Sequence, residues 1–82
     1  MAHKLQQEKF LVIGTGITGI AVIKFLEKNN LSFTITDSRT SPPNRELIGQ
    51  DYPHIKFSYG ILVIPDDTTI IVLSPGLALS TP

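Results

Sequence analysis

An open, mostly parallel α/β sheet with helices on both faces is the architecture this sequence predicts, from three observations. The apolar run Phe10-Leu11-Val12-Ile13 leads directly into Gly14-Thr15-Gly16-Ile17-Thr18-Gly19. An apolar segment with helical periodicity follows, and then a second strand that ends at Asp37, eighteen positions after Gly19. Farther on, Thr69 to Leu73 is a continuous apolar run, suited to a strand buried on both faces as parallel sheets require. Strand, turn, helix and strand in that order make a parallel unit, and ligands bind such sheets beyond the carboxyl ends of their strands.

The glycines carry the first functional signal. The spacing is G-x-G-x-x-G between a strand and a helix, and each glycine has its own work. Gly14 lets the chain turn off the strand, and Gly16 lets the backbone approach a diphosphate with no Cβ in the way. Gly19 lets the helix pack closely on the strand. The anion then sits on unpaired N–H groups at a helix N-terminus, where the helix dipole also favours negative charge. Asp37 falls where nucleotide-binding α/β units place an acid that reaches a ribose or base. The plain alternatives are an aspartate that starts a turn and, for Arg39, a solvated loop charge.

The elements follow in order. Met1 to Glu8 is a polar lead-in, and the first strand is Lys9 to Ile13. The first helix spans Ile17 to Lys28, where Ala21, Val22, Ile23, Phe25 and Leu26 cover an arc of roughly 200°. That arc is wider than one sheet face needs, which leaves room for a second contact. Asn29-Asn30 suits a left-handed C-terminal cap. The second strand, Ser32 to Thr36, puts Phe33 and Ile35 on one face and Thr34 and Thr36 on the other. Pro42-Pro43 opens a short helix to about Ile48, with Ser41 placed as its cap. Asp51-Tyr52-Pro53 is a turn, and Ile55 to Ser58 is a third strand broken by Tyr59-Gly60. Ile61-Leu62-Val63-Ile64 reads as a buried crossover segment, Pro65-Asp66-Asp67 as a turn, and Thr69 to Leu73 as the fourth strand. Ser80-Thr81-Pro82 is a helix-start signal with no helix after it, so the chain reads as a piece of a longer protein.

Composition narrows the function. With 82 residues, the chain is one small domain or part of one, burying about 60–65% of the surface its unfolded form exposes. Seven basic and seven acidic residues cancel, which gives no footprint for nucleic acid or an anionic membrane. There is no cysteine, and His3 and His54 are isolated, so no metal site is expected. No segment reads as a signal peptide or a bilayer span, and a cytoplasmic protein is the expectation.

A resemblance emerges from the ordered set. The glycine loop, then Asp37-Ser38-Arg39 with Pro42-Pro43 close behind, then Ser74-Pro75-Gly76-Leu77-Ala78-Leu79 with Pro82, resembles the N-terminal domain of the Mur ligases. It is most similar to the branch that attaches D-glutamate in peptidoglycan synthesis, and the likeness covers Lys9 to Pro82. The resemblance implies a Rossmann-like, N-terminal substrate-binding domain over residues 1–82. This would hold the UDP part of UDP-N-acetylmuramoyl-L-alanine. Carried over by position, Gly16, Ile17 and Thr18 would contact the diphosphate, Asp37 and Ser38 would hydrogen-bond the uracil, Arg39 would pack beside it, and Gly76 would line the opposite wall. One departure is the stretch from Tyr59 to Thr69, which is shorter than the family's usual crossover helix.

In the resembled family, ATP phosphorylates a carboxylate and an amine attacks the acyl phosphate, with Mg2+ and a phosphate loop in a central domain. No G-x-x-x-x-G-K-[ST] occurs here, so these residues are expected to bind substrate and to catalyse nothing. Two other classes stay open: half of a NAD(P)- or FAD-dependent oxidoreductase, and a free-standing nucleotide-sensing module. The strand from Thr69 to Leu73 is also expected to pair with another chain through its uncovered edge.

Overall fold

The computed structural model describes residues 5–74. A short 3-10 turn, Leu5–Gln7, precedes β1 (Lys9–Ile13), α1 (Ile17–Lys28), β2 (Ser32–Asp37), α2 (Arg45–Asp51), β3 (Phe57–Tyr59) and β4 (Ile70–Leu73). The strands form one sheet in the order β3-β2-β1-β4, with every pairing parallel. The α/β, Rossmann-like architecture is therefore present. β1 to β2 to β3 steps in one direction across the sheet, and the chain then returns to the far side of β1 to place β4. That reversal leaves a switch point between β1 and β4, the place where open parallel sheets form ligand crevices.

Alternation along the strands decides which face each helix covers. Phe10 and Val12 of β1 lie opposite Phe33 and Ile35 of β2, and opposite Ile70 and Val72 of β4. These residues share one hydrophobic cluster with Ile23 and Leu26 of α1 and Ile48 of α2. Both described helices thus sit on the same face. The opposite face, carrying Thr36, is crossed by the extended segment 61–64. Thr36 Oγ1 accepts the Val63 N–H at 3.0 Å and donates to the Ile61 carbonyl at 3.3 Å. The doubly wound path is completed there by a strap, not by a helix, among the described residues. Only ten residues separate β3 from β4, and a helical crossover needs a dozen or more.

Several local expectations hold. β1 and α1 have the predicted bounds, and Asn30 takes the left-handed conformation (φ 57°) after the Asn29 cap. The Leu31 N–H then reaches the Leu26 carbonyl at 3.0 Å, which closes the helix end and turns the chain into β2.

Others need correction, each for a physical reason. α2 begins at Arg45 and runs to Asp51, three residues later at each end than the sequence suggests, so Ser41 is not its cap. Pro43 disfavours helical backbone at Pro42, and Asn44 at the N-cap is left-handed (φ 63°). Pro53 then disfavours helix at Tyr52, the C-cap. β3 starts two residues later, at Phe57, and runs one residue further, to Tyr59; Gly60 (φ 89°) ends it. The segment 61–64 is not buried: Ile61 is 67% exposed, and Leu62 and Ile64 are also exposed, with only Val63 half-buried. β4 begins at Ile70, and it is half-buried on one face and open on the other, where Leu73 is 65% exposed. On α1, buried Ile23 and Leu26 and half-buried Val22 meet the core, while Phe25 and Ala21 face outward.

Candidate functional site

The site grows from the end of β1. Beyond Ile13, the Gly14 N–H continues the ladder to the Thr36 carbonyl at 2.9 Å. Gly14 then turns with φ 103°, a conformation side chains rarely adopt, and a Cβ there would lie 3.0 Å from the Ser74 carbonyl oxygen. Gly19, in the first turn of α1, backs onto this turn so closely that a Cβ would overlap the Gly14 carbonyl oxygen. Gly16 is different. It has ordinary φ of −74°, serves as the N-cap without any side-chain capping bond, and has open space where its Cβ would be. Gly14 thus makes the turn and Gly19 the close packing, while Gly16 leaves the space at its own Cβ position open.

From the end of β2, Asp37 sends its carboxylate into the loop. Its side chain is 3% exposed, yet it carries an ion pair and several hydrogen bonds. Oδ2 accepts from the Thr15 N–H and the Thr15 hydroxyl, each at 3.1 Å. Oδ1 accepts from the Arg39 N–H at 2.9 Å and from Arg39 Nε at 2.9 Å, while Arg39 Nη2 donates to Oδ2 at 2.6 Å. The guanidinium thus grips both oxygens in a fork, the strongest geometry for such a pair. An ionised carboxylate offers about four lone-pair positions, so these bonds fill it.

The hydrogen bonds from Arg39 lower the Asp37 pKa from its ordinary value to about 2, against the opposing push of burial, with Thr15 adding to the lowering. A lowered carboxyl stabilises the fold fully above its unfolded pKa near 4. That contribution, about 2 kcal/mol, is lost as pH falls through about 2.

A cleft of about 220 Å³ lies at the switch point, lined by Ile13, Gly14, Asp37, Ser38, Arg39, Leu73 and Ser74. A larger hollow of about 400 Å³ lies beside the start of α2, lined by Ser41, Pro42, Asn44, Arg45, Glu46 and Leu47. The smaller one is the better site candidate, because it joins the glycine turn to the strand ends. Gly16, Ile17 and Thr18 stand at the start of α1, with Ile17 and Thr18 exposed. The structure thus brings together the glycine loop, Asp37, Ser38 and Arg39. Gly76 lies outside the described residues.

Three participants were not singled out from sequence. Thr15 is fully buried and is the loop's link to Asp37. Thr36 holds the strap on the opposite face. Asn44 donates its side-chain N–H to the Thr15 carbonyl at 2.8 Å. A signal for Asn44 existed, since asparagine after a Pro-Pro pair is a good left-handed residue. Among the described residues no group of three or more His, Cys, Asp or Glu could hold a metal, and no helix is long and apolar enough to cross a membrane.

The glycine geometry makes a graded prediction for thermal melts of three valine variants. Gly19→Val should cost most, about 3 kcal/mol or more, since the Gly14 backbone cannot retreat without opening the turn. Gly14→Val should cost about 1–3 kcal/mol through its positive φ. Gly16→Val should cost less than either. Equal losses in all three would contradict this division of labour.

The family described as "Mur ligase MurD-like, N-terminal domain" matches residues 8–82. The chain is 32% identical over 81 residues to a UDP-N-acetylmuramoylalanine--D-glutamate ligase of Pseudoalteromonas translucida (strain TAC 125), covering 96% of this chain and 18% of that protein. Proteins of the same name from Pseudomonas fluorescens (strain Pf0-1) and Nitrosomonas europaea (strain ATCC 19718) are 34% and 38% identical, each over 77 residues. Those matches cover 88% and 92% of this chain and 16% of each relative. The chain therefore spans less than a fifth of the length of these curated relatives. With the family match covering nearly its whole length, the chain belongs to the Mur ligase family, as a MurD-like N-terminal domain.

Proposed function

We propose that this chain binds the UDP part of UDP-N-acetylmuramoyl-L-alanine, as the N-terminal domain of an ATP-dependent ligase that adds D-glutamate in peptidoglycan synthesis. The observation that carries the reading is the open approach to Gly16 beside the Asp37–Arg39 edge, in a chain of this family. The names of the relatives support the reaction. The diphosphate would lie on the backbone N–H groups of Gly16, Ile17 and Thr18, with the Thr18 hydroxyl adding a donor. Asp37 and Ser38 would take the uracil, Arg39 would pack beside it, and Gly76 would line the opposite wall.

The filled carboxylate sets a condition on this assignment. For Asp37 to accept from the uracil imide N–H, Arg39 must give up part of its grip on one oxygen. Released, the guanidinium plane is then free to stack on the base. In the whole ligase, ATP with Mg2+ supplies the phosphoryl group that activates the substrate carboxylate. No phosphate-loop lysine motif occurs in these 82 residues, so this chain alone is assigned binding and no catalysis.

The position of β4 at the sheet edge among the described residues, with Ile71 and Leu73 exposed, also supports pairing with a second copy of the chain. Sedimentation should then show concentration-dependent dimers, and a clean monomer at about millimolar concentration would rule the pairing out.

Ligand choice is read by NMR titration of the 82-residue chain with UDP and, separately, with NAD. UDP should shift the amides of Gly14, Gly16, Ile17, Thr18, Gly19, Ser38, Arg39 and Gly76, at lower concentration than NAD. The opposite order would favour an oxidoreductase half-site and overturn the UDP reading.

A further inference from the structure

The glycine loop is held by its neighbours in a way that leaves one peptide unit to aim. The Gly14 N–H is taken by the Thr36 carbonyl, and both donors of Thr15 are taken by Asp37 Oδ2. Among the described residues, the Gly16 N–H is the first along the loop without such a partner. Its direction depends on the Thr15 carbonyl, because the two groups belong to one planar trans peptide and point opposite ways. That carbonyl is held at 2.8 Å by the side-chain N–H of Asn44, the left-handed residue before α2.

We propose that Asn44 is a positioning residue for anion binding: by holding the Thr15 carbonyl toward α2, it turns the Gly16 N–H away from α2, to where it would meet the diphosphate. The inference rests on the UDP-binding reading and deepens it. Thr15 is fixed on three sides, through its N–H, its hydroxyl and its carbonyl, and it is fully buried. The first of the ligand's donors is therefore set before the ligand arrives, and binding does not have to order it. A backbone carbonyl that lost this bond could rotate with its peptide, and the Gly16 N–H would rotate with it.

The bond is separable from the left-handed backbone at Asn44. Glycine adopts φ near 63° freely, so Asn44→Gly keeps the chain path and removes only the amide. Thermal melts and UDP titrations followed by NMR are run on the wild-type chain and on this variant. N44G should melt within a few degrees of wild type, shift the ligand-free Gly16 amide resonance, and bind UDP about three- to tenfold more weakly. Should N44G fail to fold, Asn44→Asp carries the test through the ligand-free Gly16 amide resonance: Asp keeps the left-handed tolerance but presents an acceptor to the Thr15 carbonyl. Wild-type affinity in a folded variant, with the Gly16 resonance unmoved, would overturn the positioning role alone. A wild-type chain that shows no UDP-dependent shift at Gly16, Ile17 or Thr18 would overturn the UDP reading and the positioning role together.

Discussion

A buried carboxylate at the end of a parallel strand must be neutralised, and the way Asp37 meets that demand organises the working edge of this domain. Isolated in the interior, its charge would cost several kcal/mol. Here Arg39 grips both oxygens and Thr15 closes the inner one. The bonds tie three separate pieces of chain together: the end of β2, the loop after it, and the turn after β1. Asn44 extends the same tether to the start of α2 through the Thr15 carbonyl. The position of the glycine loop over the sheet thus depends on an electrostatic constraint as much as on glycine packing.

The sheet order explains why this edge is where a ligand is expected. β2 and β3 lie to one side of β1 and β4 lies to the other, so the chain segments leaving β1 and β4 diverge. Gly14 and Ser74 face each other across that gap, close enough that a Cβ on Gly14 would meet Ser74. The glycine at the turn thus keeps the divergence narrow, and the absence of a side chain at Gly16 keeps its approach open. Among the described residues the opposite face is crossed by the strap that hangs from Thr36. A ten-residue return is too short for a helical crossover, and its apolar side chains remain largely outside.

Much of this was legible from residues. The apolar run into the glycine spacing located β1, α1 and the loop, because strand period, helix period and turn chemistry all agree there. Asn30 was legible for the same reason, being one of the few residues that accept a left-handed cap. Where local signals conflict, the residues mislead. Pro42-Pro43 resembles a helix start, but the left-handed backbone at Asn44 delays α2 to Arg45. The apolar residues 61–64 and 70–73 resemble buried segments, yet burial depends on what covers them, and hydrophobicity alone does not say. At the site, the glycines and the Asp37-Ser38-Arg39 group were legible as a set. The saturation of Asp37 by Thr15 and Arg39 was not, since a contact twenty-two residues apart in the chain leaves no periodic trace.

The central claim, that Asp37 is an ionised tether between β2 and the glycine loop, is tested most directly by an NMR pH titration of the Asp37 side-chain carboxyl carbon, followed together with the Thr15 amide. The account predicts a midpoint near 2 for the carboxyl, with the Thr15 amide moving at that same midpoint as its acceptor is neutralised. A midpoint in the ordinary aspartate range near about 4, or a Thr15 amide indifferent to it, would contradict the account.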